Sequence, residues 1–196
     1  ENLSQGLKSL NDNDLIIVSD LDEIPNLSAT NLGDVKEKII IFNQKMFYYK
    51  FNLLYENFNW FGSKACKKKN FISPQWLRNI KSKKYPKWRF DTLFSKKKYS
   101  NLYNVENGGW HFTCIREPYD LEKKLLNFAH HYEFEESGLD VNDLKKLVSE
   151  KKVMYDHNVD QRGYKWSGSS VLKSISIDQL PEYIKKNSEK LKKWLD

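Results

Sequence analysis

Short apolar runs bounded by polar residues dominate the first two thirds of the chain and predict strands. The run of Leu, Ile, Ile and Val within residues 14–19 is typical of a strand covered on both faces. Other runs rich in Ile, Phe, Tyr and Trp predict strands over 39–42, 45–54, 60–65 and 110–115. The early part of the chain is therefore expected to form a sheet.

Helical spacing of apolar residues follows, and it dominates the last third of the chain. A Ser-Pro pair predicts the cap and first turn of a short helix over 73–81. Apolar positions predict a helix over 118–129, and Asp140, with Asp143 three residues on, predicts a capped helix after it. Pro181 is expected in the first turn of a closing helix with a basic outer face. Strands first and helices later predict an α/β protein.

Length and composition limit the organisation of the chain. Its 196 residues, 39% hydrophobic, suffice for one well-formed core, so we expect a single domain over 1–196. No stretch approaches the ~18 consecutive apolar residues of a membrane span. The chain begins with Glu1 rather than Met, which predicts a fragment truncated at its N-terminus. Cys66 and Cys114 are far apart and predict buried free thiols.

The net charge of +7 comes largely from lysine clusters at 67–69, 81–84 and 96–98. Such a surface attracts phosphates of a nucleotide, a lipid headgroup or a nucleic acid, and a merely solvated face is the alternative. Peripheral contact with an anionic membrane is one hypothesis. No sequence motif indicates a specific nucleic acid partner, and the oligomeric state is left open. Scarce cysteine and abundant Lys and Asn suggest a cytoplasmic protein of a microbe or virus.

The segment "DLIIVSDLDEIP" places acidic residues directly after the first predicted strand. If the chain stays extended, Asp20 and Asp22 point the same way, and paired carboxylates repel each other unless a cation lies between them. Oxygen ligands suit Mg²⁺ or Mn²⁺, so the pair is a candidate metal site. The alternative is a turn that Asp20 caps, with the other acids solvated.

Four segments, taken together, resemble glycosyltransferase family 17, the family of the β-1,4-mannosyl-glycoprotein β-1,4-N-acetylglucosaminyltransferase. They are "DLIIVSDLDEIP", "GGWHF", "KLLNFAHHYEF" and "LPEYIKKNSEKLKKWL", in this order. The resemblance implies a GT-A-like nucleotide-sugar transferase fold, a mixed sheet with flanking helices. It also implies a UDP-sugar donor, a glycan acceptor, Mn²⁺ or Mg²⁺ at the Asp-x-Asp, and inversion at the anomeric carbon. A longer segment precedes this motif in the family, so the chain is expected to lack the N-terminal βαβ elements.

The donor side of the expected site consists of five residues. Asp20 and Asp22 are the expected metal ligands, with Asp22 preferred as the direct one. His111 is a third ligand or a diphosphate donor, and an interior histidine with a structural role is the alternative. Arg89 is expected to pair with phosphate, with a bridge to a surface acid as the alternative, and Trp110 to stack on a sugar, with core packing as the alternative.

The acceptor hydroxyl also needs a general base. Glu133 is the first candidate, followed by Asp91 and Glu23, and the alternative for Glu133 is a surface residue. Either His130 or His131 matches the histidine of the family motif, and His131 keeps the His-x-Glu spacing to Glu133. Two further tryptophans, Trp60 and Trp88, are candidates for sugar stacking or for core packing.

The expected function is therefore a metal-dependent inverting glycosyltransferase that moves a sugar, N-acetylglucosamine by the resemblance, from a UDP-sugar to a glycan. A metal-dependent phosphoester hydrolase remains an alternative because acid pairs with histidine also serve hydrolysis. A basic module that binds nucleic acid or an anionic surface is the third interpretation. Loss of ligand binding on chelation would separate the enzymes from the module, and dependence on UDP would separate the two enzymes.

Overall fold

The structure is a computed structural model that describes residues 5–86, 88–92, 94–127, 131–159, 163–166 and 170–196. These residues form mixed sheets and a few helices, which confirms the predicted α/β class. Two compact units are distinguished. The first is Glu1–Gln44 with Asn59–His111, and the second is Lys45–Phe58 with Phe112–Asp196. The expectation of a single domain stays a prediction.

The strands are, in chain order, β1 (Leu15–Val18), β2 (Glu23–Pro25), β3 (Ile39–Phe42), β4 (Gln44–Tyr48), β5 (Leu53–Trp60), β6 (Lys64–Lys67), β7 (Leu102–Val105), β8 (Gly109–Thr113) and β9 (Lys173–Ser174). The α-helices are α1 (Pro74–Arg78), α2 (Pro118–Leu126), α3 (His131–Ser137), α4 (Val141–Ser149) and α5 (Glu182–Lys186). Short 3₁₀ helices span Leu32–Asp34, Lys68–Asn70, Phe90–Thr92, Ile177–Gln179 and Lys192–Trp194.

The first unit contains a four-stranded sheet in the order β1-β6-β3-β7. The pairs β1/β6 and β6/β3 are antiparallel, whereas β3/β7 is parallel. All four residues of β3 are buried, because Ile39 and Ile41 pack on one face of the sheet and Ile40 and Phe42 on the other. Strand β3 is therefore covered on both faces.

Strand β1 confirms the strand predicted over 14–19, but not its full burial. It lies at the edge of the sheet and pairs with β6 alone among the described strands. Only Ile16 is fully buried, while its neighbours Leu15 and Ile17 are half-buried. The strand predicted over 60–65 is wrong, because β5 ends at Trp60 and β6 begins at Lys64.

Helix α1 covers one face of this sheet, as its local sequence predicts. The Ser73 hydroxyl accepts a hydrogen bond from the Trp76 backbone N–H at 3.1 Å, and Pro74 fills the first helical position. Trp76 and Leu77 are buried in the cluster that includes Ile39. The helix ends at Arg78, three residues before the predicted end at 81.

Among the described residues, the other sheet has five strands in the order β2-β8-β4-β5-β9. The single strand predicted over 45–54 is wrong, because the chain leaves β4 after Tyr48 and enters β5 at Leu53. Tyr49 takes a positive φ of 62° at this break, a conformation that strands do not use. Helices α2, α3 and α4 bury Leu121, Phe134 and Leu144 in one core cluster with residues of β4 and β5.

Helix boundaries in the second unit follow local signals. The Asp140 side chain accepts hydrogen bonds from two backbone N–H groups of α4, and the Asp143 carboxylate accepts one from the Asp140 backbone N–H. This capping box confirms the predicted cap. Helix α2 ends at Leu126, and 128–130 lie outside the described residues. The closing helix is only α5, and Pro181 is its N-cap rather than part of its first turn.

Both cysteines are buried free thiols, as predicted. Burial raises the pKa of the Cys66 thiol to about 11, so it stays protonated and unreactive at neutral pH. Among the described residues, the helices are all too short or too polar to cross a membrane.

Candidate functional site in the first unit

The acidic motif forms a turn rather than an extension of β1. The Glu23 backbone N–H donates to the Asp20 carbonyl at 3.1 Å, so the chain reverses at Leu21 and Asp22. The expectation that Asp20 and Asp22 point the same way along an extended chain is therefore wrong. Asp20 pairs with Arg78 at 2.8 Å, whereas the Asp22 Oδ2 lies 3.4 Å from Nε2 of His111.

Strand β2 carries this turn to β8. Their antiparallel register places Glu23 opposite His111, Ile24 opposite Trp110 and Pro25 opposite Gly109. Because side chains alternate along a strand, Trp110 projects to the face opposite that of His111. The structure thus brings Asp22 and His111 together and separates the Trp110 ring from them.

Glu23 holds the turn in place. Its buried carboxylate accepts a hydrogen bond from the Trp60 indole N–H at 2.7 Å through Oε1 and from the Asp20 backbone N–H at 3.1 Å through Oε2. At Gly62, an added Cβ atom would lie 2.1 Å from the same Oε1, so a side chain here would displace the Glu23 carboxylate. Both oxygens of Glu23 therefore have a positioning role.

His111 is buried beneath the turn. Its ring stacks on Trp60 with centroids 4.5 Å apart and an interplanar angle of 23°. Its Nδ1 is buried and has no hydrogen-bond partner among the described residues. Nε2 is therefore the ring nitrogen that Asp22 or a bound cation can contact. Trp60 supports this histidine and Glu23, which favours the packing alternative for Trp60 over a sugar platform.

A small pocket of about 130 Å³ adjoins the turn. It is lined by Val18, Ser19, Asp20, Glu23, Trp60, Phe61, Gly62, Lys64 and Arg78. This volume is below the ~300 Å³ of typical small-molecule sites, so it suits a group of phosphate size rather than a whole nucleotide.

Lys64 is a buried cation on the wall of this pocket. Its ammonium donates hydrogen bonds to the carbonyls of Arg78 at 2.5 Å and Ile80 at 2.7 Å. It thereby caps the C-terminus of α1 and fixes the backbone of Arg78. Burial lowers the pKa of Lys64 to about 8, although the nearby Glu23 carboxylate opposes this shift.

The lowered pKa of Lys64 predicts a pH dependence of stability. An unfolded lysine keeps its proton up to 10.5, whereas folded Lys64 releases it near 8, so the unfolded state binds more protons in this window. Stability is therefore expected to rise from pH 8 to 10, and the burial penalty is present in full below 8. Urea unfolding at both pH values should show a smaller rise for Lys64→Met than for the parent. Lys67→Met, on the same strand, should leave the rise unchanged, and an equal effect of both variants would contradict the assignment.

Arg89 and Asp91 pair with each other. Two hydrogen bonds of 2.7 and 2.8 Å join them, and Lys98 adds a third contact to Asp91 at 2.9 Å. These cations lower the pKa of Asp91 to about 2, so its carboxylate is a weak proton acceptor at neutral pH. Trp88 lies beside them and is largely exposed.

Glu133 lies in the second unit, in the first turn of α3. It is exposed and lines a groove of about 460 Å³ together with Glu136, Ser137, Tyr155, Gly163, Tyr164, Lys165 and Trp166. The His131 ring lies against Tyr132 with centroids 4.0 Å apart, and His130 is outside the described residues. The role of Glu133 as a base stays a prediction.

The donor set for a metal is small. Among the residues the structure describes, no three His, Cys, Asp or Glu side chains converge on one point. The Asp22 carboxylate and the His111 imidazole are close enough to share a cation, since ligands at about 2.1 Å from a metal lie about 3 Å apart. Asp20 instead pairs with Arg78 at 2.8 Å. The residues thus fit a cation that takes its remaining ligands from a substrate.

Sequence reasoning missed two cations of this site, Lys64 and Arg78. Arg78 contacts Asp20 although the two are 58 residues apart in sequence, and the local sequence around either residue does not predict that contact.

No known family model matches the chain, no curated protein matches it, and no solved structure matches its fold. The resemblance to glycosyltransferase family 17 and what it implies therefore stay predictions.

Proposed function

We propose that this chain is a metal-dependent inverting glycosyltransferase with a GT-A-like fold. It moves a sugar, N-acetylglucosamine by the resemblance, from a UDP-sugar to a glycan acceptor. The observation that carries the proposal is the approach of Asp22, in the turn between β1 and β2, to the buried His111 at 3.4 Å. The motif resemblance and this contact depend on the same two residues, although they are far apart in sequence.

Asp22 and His111 would hold the divalent cation. A carboxylate with an imidazole favours Mn²⁺ over Mg²⁺, because imidazole is a poor ligand for Mg²⁺. Two protein ligands leave positions for diphosphate oxygens and water, as is usual for cations that act on phosphates. When bound, the cation would neutralise negative charge on the leaving diphosphate.

The remaining residues orient the diphosphate. Arg78 is half-exposed at the pocket, and Asp20 engages its guanidinium, which has further N–H donors for phosphate. Lys64 fixes the end of the helix that carries Arg78, and Glu23 fixes the turn that carries Asp22. The contribution of Asp20 is thus to position the arginine.

Three carboxylates are candidates for the general base. Asp91 is disfavoured by its low pKa and Glu23 by its two internal hydrogen bonds. Glu133 stays the first candidate on the sequence alone.

Hydrolysis by two metals is less well supported. Such centres hold two cations about 4 Å apart and need more carboxylate and histidine ligands than a single pair. Among the residues the structure describes, no group of three His, Cys, Asp or Glu side chains is placed to hold a metal ion.

The decisive experiment is calorimetric titration of UDP into the protein with Mn²⁺ present. We expect binding that EDTA abolishes and that Asp22→Asn weakens at least about ten-fold, because the variant loses a charged metal ligand. His111→Gln should have a similar effect. Mn²⁺ alone should bind weakly, because the substrate completes its coordination.

Asp34→Asn is the matched control, since Asp34 is an exposed aspartate of the same unit at a 3₁₀ helix. It should bind UDP as the parent does. Metal-independent binding of UDP, or full binding by Asp22→Asn, would contradict the proposal.

A further inference from the structure

One segment of the first unit contains the whole net charge of the chain. Residues 81–98, here called the aromatic-basic loop, include eight of the 33 Lys and Arg and one of the 26 Asp and Glu. The rest of the chain therefore has 25 residues of each sign and no net charge. The charge of +7 is a local property of this loop rather than a property of the surface as a whole.

The same loop exposes three large aromatic side chains. Trp88 is 76% exposed, Phe90 78% and Phe94 90%. A single exposed apolar residue is ordinary, but three within seven residues indicate an interaction surface. Because the protein buries little of these rings, they are accessible to a partner.

The base of the loop is attached to the fold. The Lys81 N–H donates to the Lys97 carbonyl at 2.8 Å, and the Tyr85 N–H donates to the Tyr99 carbonyl at 3.3 Å. The Tyr99 hydroxyl accepts from the indole of the buried Trp76 at 3.2 Å. Backbone hydrogen bonds therefore close the base of the loop, and Tyr99 attaches it to Trp76 of α1.

The single acid of the loop is neutralised internally. Asp91 pairs with Arg89 through two hydrogen bonds and with Lys98 at 2.9 Å. A paired carboxylate costs less to bring toward a region of low dielectric than an isolated one. The loop thus presents apolar rings flanked by lysines, with no uncompensated negative charge.

We propose that the aromatic-basic loop binds the surface of an anionic membrane. Trp and Phe partition into the interface between headgroups and acyl chains, and neighbouring lysines contact lipid phosphates. This proposal is independent of the proposed transferase function, because it uses none of the residues assigned to the metal or the diphosphate.

The exposure of the rings favours a membrane over a nucleic acid. Proteins that stack bases on aromatic residues place the rings in a positively charged groove that follows the backbone. Phe94, 90% exposed, has almost no protein surface beside it. Free rings at a loop tip are the arrangement that inserts into an interface.

The test is co-sedimentation with phosphatidylcholine vesicles, with and without about one third phosphatidylglycerol. We expect binding to the anionic vesicles that weakens with salt. The triple variant Trp88→Ala, Phe90→Ala and Phe94→Ala should lower the partition coefficient at least about ten-fold. Lys83, Lys96 and Lys97 changed to Gln should lower it comparably and reduce its salt dependence.

Matched controls separate this loop from general charge. Changing Lys190, Lys192 and Lys193 to Gln removes the same charge elsewhere and should have little effect. Trp88→Phe should keep binding but lose fluorescence quenching by brominated lipid. Equal loss in both lysine variants, unchanged binding of the aromatic variant, or binding to poly(U) but not to vesicles would each overturn the proposal.

Discussion

Replacing Gly109 with Ala is expected to destabilise the protein by about 3 kcal/mol, the sum of a backbone strain and a steric clash. Gly109 has a φ of +138°, which L residues rarely adopt. An added Cβ would also lie 2.1 Å from the Ile24 carbonyl oxygen and 2.9 Å from the Asn26 nitrogen. These are backbone atoms of β2 and its end, and they cannot move without breaking the pairing that holds His111 beside Asp22.

Two other glycines isolate the two causes. Gly138 has a φ of +70° with no atom near its Cβ position, so Gly138→Ala should cost only about 1 kcal/mol from strain. Gly33→Ala meets Asn31 at an ordinary 3.4 Å and should change stability by less than about 0.5 kcal/mol. Urea unfolding of the three variants checks this order. A Gly109→Ala variant no less stable than Gly138→Ala would show that the clash is relieved.

Helix starts and one strand of the fold could be predicted from local sequence signals. Ser73 with Pro74 and Asp140 with Asp143 each form the predicted helix starts, because a cap needs only residues within one turn. Strand β3 was predicted with its observed bounds, since its four apolar residues have no polar position to expose.

The arrangement of the strands depends on distant contacts, and there local patterns failed. The apolar runs of β1 and β3 look alike in sequence, yet β3 is central and β1 lies at the edge. Whether a run becomes a central or an edge strand depends on which strands pair with it, and those strands come from elsewhere in the chain. Tyr49 shows the same limit, because its positive φ divides a predicted strand without a glycine to mark the break.

The candidate site shows what spacing can and cannot provide. Asp22 and His111 were selected by motif, and the pairing of β2 with β8 is what brings them together. The sequence did not indicate the different contacts of Asp20 and Asp22, because Asp20 forms an ion pair with Arg78, which lies on another element. A motif therefore names candidate ligands, but the long-range partners decide which of them is available to a cation.

Replacing Asp156 with Ala is expected to destabilise the second unit by about 3 to 5 kcal/mol. Asp156 is 2% exposed, and its carboxylate accepts hydrogen bonds from Tyr55 at 2.5 Å, Ser170 at 2.6 Å and the Asn158 N–H at 2.9 Å. Alanine leaves these donors, one of them in a buried hydrogen bond and two in partly buried ones, without that acceptor. The carboxylate joins three separate segments, so its loss affects more than one contact.

Graded variants test whether the hydrogen bonds are the cause. Asp156→Asn keeps one acceptor oxygen and should lose less stability than Asp156→Ala, because part of the network survives. Tyr55→Phe removes one donor and should cost about 1 kcal/mol. Asp120→Ala, at an exposed aspartate of α2, should cost less than about 1 kcal/mol. Chemical unfolding, monitored by circular dichroism, gives the order of the free energies of unfolding of these variants. If Asp156→Ala were no less stable than Asp120→Ala, the buried carboxylate would have no structural role, and the segments it joins would be held by apolar packing alone.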